Sequence, residues 1–512
     1  MNKQQVCWQH TAASAKRLTV TIHKSTYANF INIMSYEIVI GLEVHIQLTT
    51  LSKAFCADNA HFGGSPNSHI SAISLAHPGT LPRPNKKQLE YAVRLGIAMG
   101  STINMLNTFD RKNYFYPDLP KGYQITQDKC PVCVEGGLLI NVNGQEKYIR
   151  LHHIHQEEDA GKSVHDRNQY FSLIDLNRAG VPLLEIVTEP DFRSSEEVDA
   201  FMTAMRQLVR YLGISDGNME EGSMRCDVNV SVRPKGQIQF GERCEIKNIN
   251  SMRFARKAIE YEANRQIQLL QTGEKVIQQT RTFDPNTGTT AALRSKEDAH
   301  DYRYFPDPDL PPVIVTPEEL TIIQNLLPQL PWQHKAKFIN DYGLSEYDAK
   351  LLSEEREVAE YFLALCQQST AYKPIANCII NAILPYVNQH KIAIAQFPVS
   401  QKNLLEFLQL IENEKVSNSI AYQQLFPALV TLPHRSPTDM AEMLDLMQTS
   451  NADELDTIIQ NVLTQFTDKV DAYKKGKTGL LGLFVGEVMK QTNGKANPKM
   501  LNERILAALK AR

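Results

Sequence analysis

Arg225-Cys226-Asp227-Val228-Asn229-Val230-Ser231-Val232 alternates without a break, apolar at 226, 228, 230 and 232 and polar between. A period of two sends successive side chains to opposite faces of a strand, so one face is core and the other carries Arg225, Asp227 and Asn229. Pro234-Lys235-Gly236 interrupts the pattern. Arg243-Cys244-Glu245-Ile246-Lys247 resumes it, with Arg243, Glu245 and Lys247 on the polar face. A hairpin centred on Gly236 would set Asp227 opposite Glu245. Directly opposed carboxylates destabilise a strand pair, so either Arg225 and Lys247 neutralise them in a structural network or a divalent cation lies between them.

Outward from this pair, short alternating runs with Gly and Pro occupy the chain to about residue 325 and predict strands. Two helices interrupt them, Ser195 to Leu212, with Ser194 and Ser195 offering its N-cap and Glu196 and Glu197 an acidic opening turn, and roughly Ser251 to Leu270. Asp307-Pro308-Asp309-Leu310-Pro311-Pro312 breaks the pattern, because proline removes amide donors and favours extended backbone. Helical periodicity then takes over at Pro317 to Leu326, Ser345 to Gln367, Lys373 to His390, Gln401 to Asn413 and on to Ala511. The expected class is α+β: a mixed β-rich domain over 34–325, an all-helical domain over 326–438 and a small helical tail over 439–512. Residues 1–33 hold four Lys or Arg and no Asp or Glu. They read as a disordered leader ahead of Met34, or alternatively as a transit peptide, and stand outside the fold.

The 512 residues suit about three domains, and 42% apolar with 22% charged is globular composition. A net charge of −3 excludes a chain-wide attraction to nucleic acid or anionic membrane. The apolar runs fall short of the roughly 18 to 20 residues that cross a bilayer. Charge is uneven, however: Lys469 to Arg512 sums to +7, leaving −10 on the rest. These cations flank Gly476, Gly479, Gly482 and Gly494, where backbone could approach phosphate, or they merely solubilise small helices.

Leu151 to Ser163 holds three histidines and three carboxylates within eight residues, from His152 to Asp159. Hard oxygen ligands in this number suit Mg²⁺, with nucleotide phosphates completing the shell; a solvated acidic loop is the plainer alternative. Gly161-Lys162-Ser163 fails as a phosphate loop, because Gln156 stands where the first glycine is required. Glu43 and His45 share one side of the first strand-like run, and Glu185 sits within Leu183-Leu184-Glu185-Ile186-Val187, where a carboxylate is not simply solvated. Cys130-Pro131-Val132-Cys133 is half of a zinc spacing without its second half, so two ordinary thiols are expected and a structural zinc is not. No nucleophile elbow or HExxH motif occurs, which argues against a hydrolase.

Six strings follow in order: Ile40-Gly41-Leu42-Glu43-Val44-His45; Phe109-Asp110-Arg111-Lys112-Asn113-Tyr114-Phe115-Tyr116-Pro117-Asp118; Glu157-Glu158-Asp159-Ala160-Gly161-Lys162; Asp175-Leu176-Asn177-Arg178; Glu220-Glu221-Gly222-Ser223-Met224-Arg225-Cys226-Asp227; and Asp301-Tyr302-Arg303-Tyr304-Phe305-Pro306. With them, the chain from Tyr36 onward resembles the B subunits of the aspartyl/glutamyl-tRNA(Asn/Gln) amidotransferases. The resemblance implies a cradle-like catalytic domain, a helical domain and a basic, YqeY-like tail that contacts tRNA. It implies an ATP- and Mg²⁺-dependent ligase of the cytoplasm, or of mitochondria if 1–33 is a transit peptide. That ligase phosphorylates the side-chain carboxylate of misacylated Glu-tRNA(Gln) or Asp-tRNA(Asn). Ammonia then reaches it from a partner amidase (glutaminase), a third and small partner completes the heterotrimer, and no membrane is involved. Carried over by motif, Glu43, His45, Glu158, Glu185 and Lys247 would act in catalysis. Arg225, Asn177 and Lys162 would bind the nucleotide, and His45, Glu158, Asp227 and Glu245 the metal. One departure concerns zinc: some members carry paired cysteines early in the chain, whereas Asn67 to Ser74 here leaves Cys56 without that pair. The competing readings are a non-catalytic tRNA-binding scaffold and a free-standing ligase acting on a small acid.

Overall fold

The computed structural model describes residues 35–511 apart from 166, 168–169, 296–301, 449–451 and 493. The expected leader over 1–33 lies outside the described residues. The first section folds as β1 (Tyr36–Gln47), α1 (Lys86–Ala98), β2 (Gln145–Glu158), β3 (Pro182–Thr188), α2 (Ser195–Tyr211), β4 (Met224–Pro234), β5 (Cys244–Ile249), α3 (Met252–Gln271), β6 (Gln279–Asp284), β7 (Thr289–Ser295) and α4 (Pro317–Asn325), with shorter strands between. The main sheet runs β7-β6-β5-β4-β1-β3-β2 and continues into two short strands at Cys133–Val134 and Thr102–Ile103. The β5–β6 pair is parallel and the other neighbours are antiparallel.

Alternation makes this sheet two-faced. Ile40, Leu42, Val44 and Ile46 of β1 join Val228 and Val230 of β4, Leu184 and Ile186 of β3 and Ile154 of β2 in a buried core, which α1, α2 and α3 cover. Each such side chain contributes about 1.5–3 kcal/mol when fully buried. The Ser194 side chain accepts from the Glu197 N–H and caps α2. Glu262, fully buried in α3, binds Arg265 at 2.6 Å, Thr290 of β7 at 2.8 Å and Arg281 of β6 at 3.2 Å, while Gln266 donates to the Val230 carbonyl of β4. A polar rivet thus ties α3 to three strands.

Two further cores follow, one from Phe338 to Leu446 and one from Leu455 to Leu509. They correct the expected boundaries. Ile323 and Leu330 pack into the first core, so that domain runs past 325. The division placed after 438 falls inside the helix Pro437–Met443, whose Met440 and Ala441 belong to the second core. The helix expected over 345–367 is two, Glu346–Leu352 and Arg356–Cys366. The Ser353 carbonyl between them accepts the Tyr211 hydroxyl at 2.7 Å and the Gln207 amide at 2.8 Å, so a contact with α2 takes the place of helix continuation. The stretch 372–390 passes through a π turn at Ile379–Ile383 just ahead of Pro385, and Ala421–Leu425 does the same ahead of Pro427. A widened turn accommodates the proline ring and its missing N–H. No helix among the described residues is long and apolar enough to cross a membrane.

Candidate active site

The uncovered face of the sheet is where the charges gather. Pairing sets Glu43 between Asp227 of β4 and Val187 of β3, and His45 between Arg225 and Glu185; Glu185 in turn faces His155 of β2. Four neighbouring strands therefore present carboxylates and imidazoles side by side.

They form two sets of three, each offering ligand atoms within 4.8 Å of one another: His45, Glu157 and Glu185, and Glu43, Asp227 and Glu245. In the first, His45 Nε2 lies 3.3 Å from Glu185 Oε2 and 3.9 Å from Glu157, and His155 Nε2 lies 3.3 Å from the same Glu185 oxygen. Burial alone would lower the His45 pKa; Glu185, by charge and hydrogen bond, and Glu157 outweigh it and hold it at about 9. Burial likewise opposes ionisation of Glu185, yet His155 and His45 bring its pKa well below the carboxylate range. Glu157 is pushed up by burial despite Lys112. Its Oε1 is buried without a hydrogen-bond donor, and the Lys112 ammonium stands 3.7 Å away. In the second set, Lys247 Nζ bridges Asp227 at 3.0 Å and Glu245 at 2.6 Å, and the Asn229 amide donates to Glu43 at 3.0 Å. Burial, then the charges of Glu185 and Glu245, raise the Glu43 pKa. An orphaned carboxylate oxygen and three-carboxylate convergence fit hard divalent cations such as Mg²⁺.

The register expected for β4 and β5 is corrected here. Glu245 faces Asn229, not Asp227, and a bulge separates Cys226 from Val228. The chain turns at Lys235–Gly236, where the Gln237 N–H donates to the Pro234 carbonyl at 3.0 Å, but the rest of the connection lies back on the strand at Gly241, where an added Cβ would sit 2.2 Å from the Val232 carbonyl oxygen. The carboxylate directly opposite Asp227 is Glu43, on the other side. Opposed like charges therefore do occur on this face, between β1 and β4 and not within the expected hairpin.

A cavity of about 570 Å³ is lined by Glu185 of the first set and by Glu43 and Glu245 of the second, with Lys112, Tyr302 and Tyr304 also along it. Lys112 comes from the strand Asp110–Asn113 and stands 5.3 Å from the Tyr302 ring centroid. Its pKa is raised: burial is outweighed by Glu157 and Glu185.

The family model described as "GatB/GatE catalytic domain" matches residues 38–321, and the one described as "GatB domain" matches 360–509. Proteins named as B subunits of aspartyl/glutamyl-tRNA(Asn/Gln) amidotransferases, from Thermodesulfovibrio yellowstonii, Persephonella marina and Geotalea uraniireducens, are 46%, 45% and 47% identical to the chain. Each comparison covers 93% of this chain and 100% of the relative. The chain belongs to the GatB family.

In this GatB-family chain, Glu43, His45, Glu185, Asp227, Glu245 and Lys247 come together on one face of the sheet. Glu158 does not join either set of metal ligands. The alternation of β2 turns it away from Glu157, and it is held instead by Lys121 and the Ile125 N–H. Arg225 neighbours His45 but is engaged by Asp159 at 3.0 Å, which Gln47 also binds. Asn177 and Lys162 are not among the residues lining the cavity: the Asn177 side chain ties the His69 N–H to the Ser65 carbonyl, and Lys162 is exposed on a separate two-stranded ribbon. Motif reasoning passed over Glu157, His155 and Lys112, although each lay within or beside a quoted string. Period-two alternation from Glu185 and His155 was the available signal for Glu157. Cys133 lies against the Ala92 carbonyl, burial raises its thiol pKa, and it faces Ile154 on the apolar side, whereas His155 lies by Glu185 on the polar side. These groups cannot share one metal.

Proposed function

We propose that the chain is the ATP-dependent transamidating component of a tRNA-dependent amidotransferase, acting on Glu-tRNA(Gln), Asp-tRNA(Asn) or both. The side-chain carboxylate of the misattached residue attacks the γ-phosphorus of ATP and ADP leaves. Ammonia then attacks the acyl carbon, the C–O bond to phosphate breaks, and the nitrogen loses a proton as the amide forms. A carboxylate oxygen is a poor leaving group and phosphate a good one, which is why activation precedes amide formation. His45, Glu157 and Glu185, and Glu43, Asp227 and Glu245, would hold divalent cations; bound there, the metal would offset charge on the phosphoryl group. Lys112 and Lys247 add fixed positive charge beside those carboxylates. Tyr302 and Tyr304 flank the cavity where water must be kept from an acyl phosphate.

Ammonia would come from a partner amidase (glutaminase), assembled with a third, small partner, and the basic third core would contact tRNA phosphates. Membership of the GatB family supports these partners, and the two carboxylate sets on one sheet face are the observation that carries the chemistry. The test supplies Glu-tRNA(Gln), ATP, Mg²⁺ and ammonium chloride to the chain assembled with its partners. Glu185→Gln and Asp227→Asn should each lower Gln-tRNA formation at least about 100-fold while tRNA binding persists. Wild-type rates from both variants would leave a scaffold role.

A further inference from the structure

Between β1 and α1, residues 48–85 form neither helix nor regular strand, and His61 to Ser68 are all exposed. A connection of that length is uncommon in a compact domain unless something holds it. Apolar packing does little here: Ile70, Ile73 and Leu75 are only half-buried, and Phe62 is exposed. The two ends nevertheless come together, for the Arg83 and Asn85 N–H groups donate to the Phe55 and Ala54 carbonyls at 2.9 and 2.8 Å. At its far end the loop is clasped by the chain ahead of β3. The Asn67 N–H donates to Asp175 at 3.1 Å and its amide to the Ile174 carbonyl at 2.9 Å, while its side-chain oxygen accepts from the Leu176 N–H at 2.8 Å.

Four polar side chains meet near its base. The Ser74 hydroxyl donates to Asp58 and lies 3.5 Å from the Cys56 sulfur, and Ser71 and the Cys56 thiol also hydrogen-bond the Asp58 carboxylate. Burial would raise the Asp58 pKa, but these three hydrogen bonds and the Lys53 charge hold it below its ordinary value. The Lys53 N–H donates to the Asp58 carbonyl at 2.9 Å, so the backbone behind the carboxylate is fixed as well. One residue separates Cys56 from Asp58, and two separate Ser71 from Ser74. Paired side chains converging from two parts of a loop are the layout of a structural zinc centre, which takes four Cys, His or carboxylate ligands. These residues do not fit that metal: two of the four positions are neutral hydroxyls, and among the described residues Cys56 and Asp58 belong to no group of three metal-ligating side chains. A carboxylate accepting from two hydroxyls and a thiol is satisfied without a cation, and hydrogen bonds to an ionised acceptor are the stronger kind.

We propose that Cys56, Asp58, Ser71 and Ser74 form a hydrogen-bonded knot that closes the loop 56–74 in place of a structural metal, with Asp58 as the common acceptor. Closure then needs neither a metal nor a disulfide. It holds Asn67 where it meets Asp175 and Leu176.

Hydrogen exchange on the assembled complex tests this, read at the Leu75 and His77 amides, which donate to the Ser71 and Ala72 carbonyls inside the loop. Dialysis of the wild type against a zinc chelator should leave their protection unchanged. Asp58→Ala should raise their exchange about 10- to 100-fold, as loss of hydrogen bonds to a charged acceptor implies, with β1 and β4 as protected as before. Asp58→Asn, which keeps one acceptor oxygen, should fall between; melting temperature and circular dichroism check the fold of each. Combining Asp58→Cys, Ser71→Cys and Ser74→Cys should give four thiols with Cys56. That variant should take up cobalt(II) with a thiolate-to-metal absorption band and recover protection once loaded. Zinc in the wild type whose removal exposes these amides would overturn the proposal, and so would unchanged exchange in both folded Asp58 variants. A triple variant that takes up no cobalt would overturn the equivalence of the knot with a metal centre.

Discussion

His45 shows how much one register position decides. It stands between Arg225 and Glu185 on neighbouring strands, and its imidazole meets Glu185 only because β1 and β3 pair in that register. A slip of one residue would send it into the apolar core and expose Val44 or Ile46. Glu157 and Glu158 make the same point in adjacent positions, one beside His45 and the other beside Lys121. Titration calorimetry with Mg²⁺ or Mn²⁺ should therefore separate them. Glu185→Gln and Asp227→Asn should lose at least about tenfold in cation affinity, while Glu158→Gln should stay within about twofold. Equal losses from all three would return Glu158 to the metal site.

At the scale of elements, the polar rivet on α3 and the hinge beside α2 carry separate predictions. The Glu262 carboxyl is buried, which would raise its pKa, but hydrogen bonds from Arg265, Gln266 and Thr290 hold it below the ordinary value. A carboxyl whose folded pKa is depressed contributes stability that is present above its unfolded value, near 4.3, and lost as pH falls through the folded one. Glu262→Gln should lower stability by about 3–5 kcal/mol at pH 7, because it leaves Arg281 and Arg265 partly unpaired. The gap to wild type should narrow as pH falls below about 4; thermal melts of both proteins across pH 3.5–7 would show it. Tyr211→Phe removes one of the two donors to the Ser353 carbonyl and should cost about 1–2 kcal/mol. Its mark should be enhanced hydrogen exchange around 351–356 with amidation unchanged.

Across the whole molecule, the carboxylate cluster and the basic surface belong to different cores. Lys474, Lys475 and Lys477 are exposed around Gly476, whose φ of +99° favours glycine, on the third core rather than near the carboxylates. Changing these three lysines to glutamine should weaken tRNA binding and flatten the slope of log affinity against log salt by about 0.7–0.9 per lost phosphate contact. The KM for ATP should not move. A truncation meant to remove this core must begin before Leu455; cutting at 469 would divide its apolar cluster.

Much of this was legible along the chain. The alternation of β4 and β5, the Ser194 cap of α2, the switch from strands to helices and the charge of the tail are local patterns. Period two, capping chemistry and composition act over a few residues, so they survive without knowledge of partners. The same patterns named Glu43, His45, Glu185, Asp227 and Glu245 as unusual, and the family motifs joined them. What only the tertiary structure decided is which of them meet. Glu157 replaces Glu158 because the twist and register of β2 against β3 choose the face. Asp227 faces Glu43 and not Glu245 because β4 pairs with β1 on its other side and a bulge between Cys226 and Val228 takes Asp227 out of the β5 register. Ser353 ends a helix because Tyr211, 142 residues earlier, takes its carbonyl. Each is a long-range pairing, set by how strands and helices pack and not by the residues beside them.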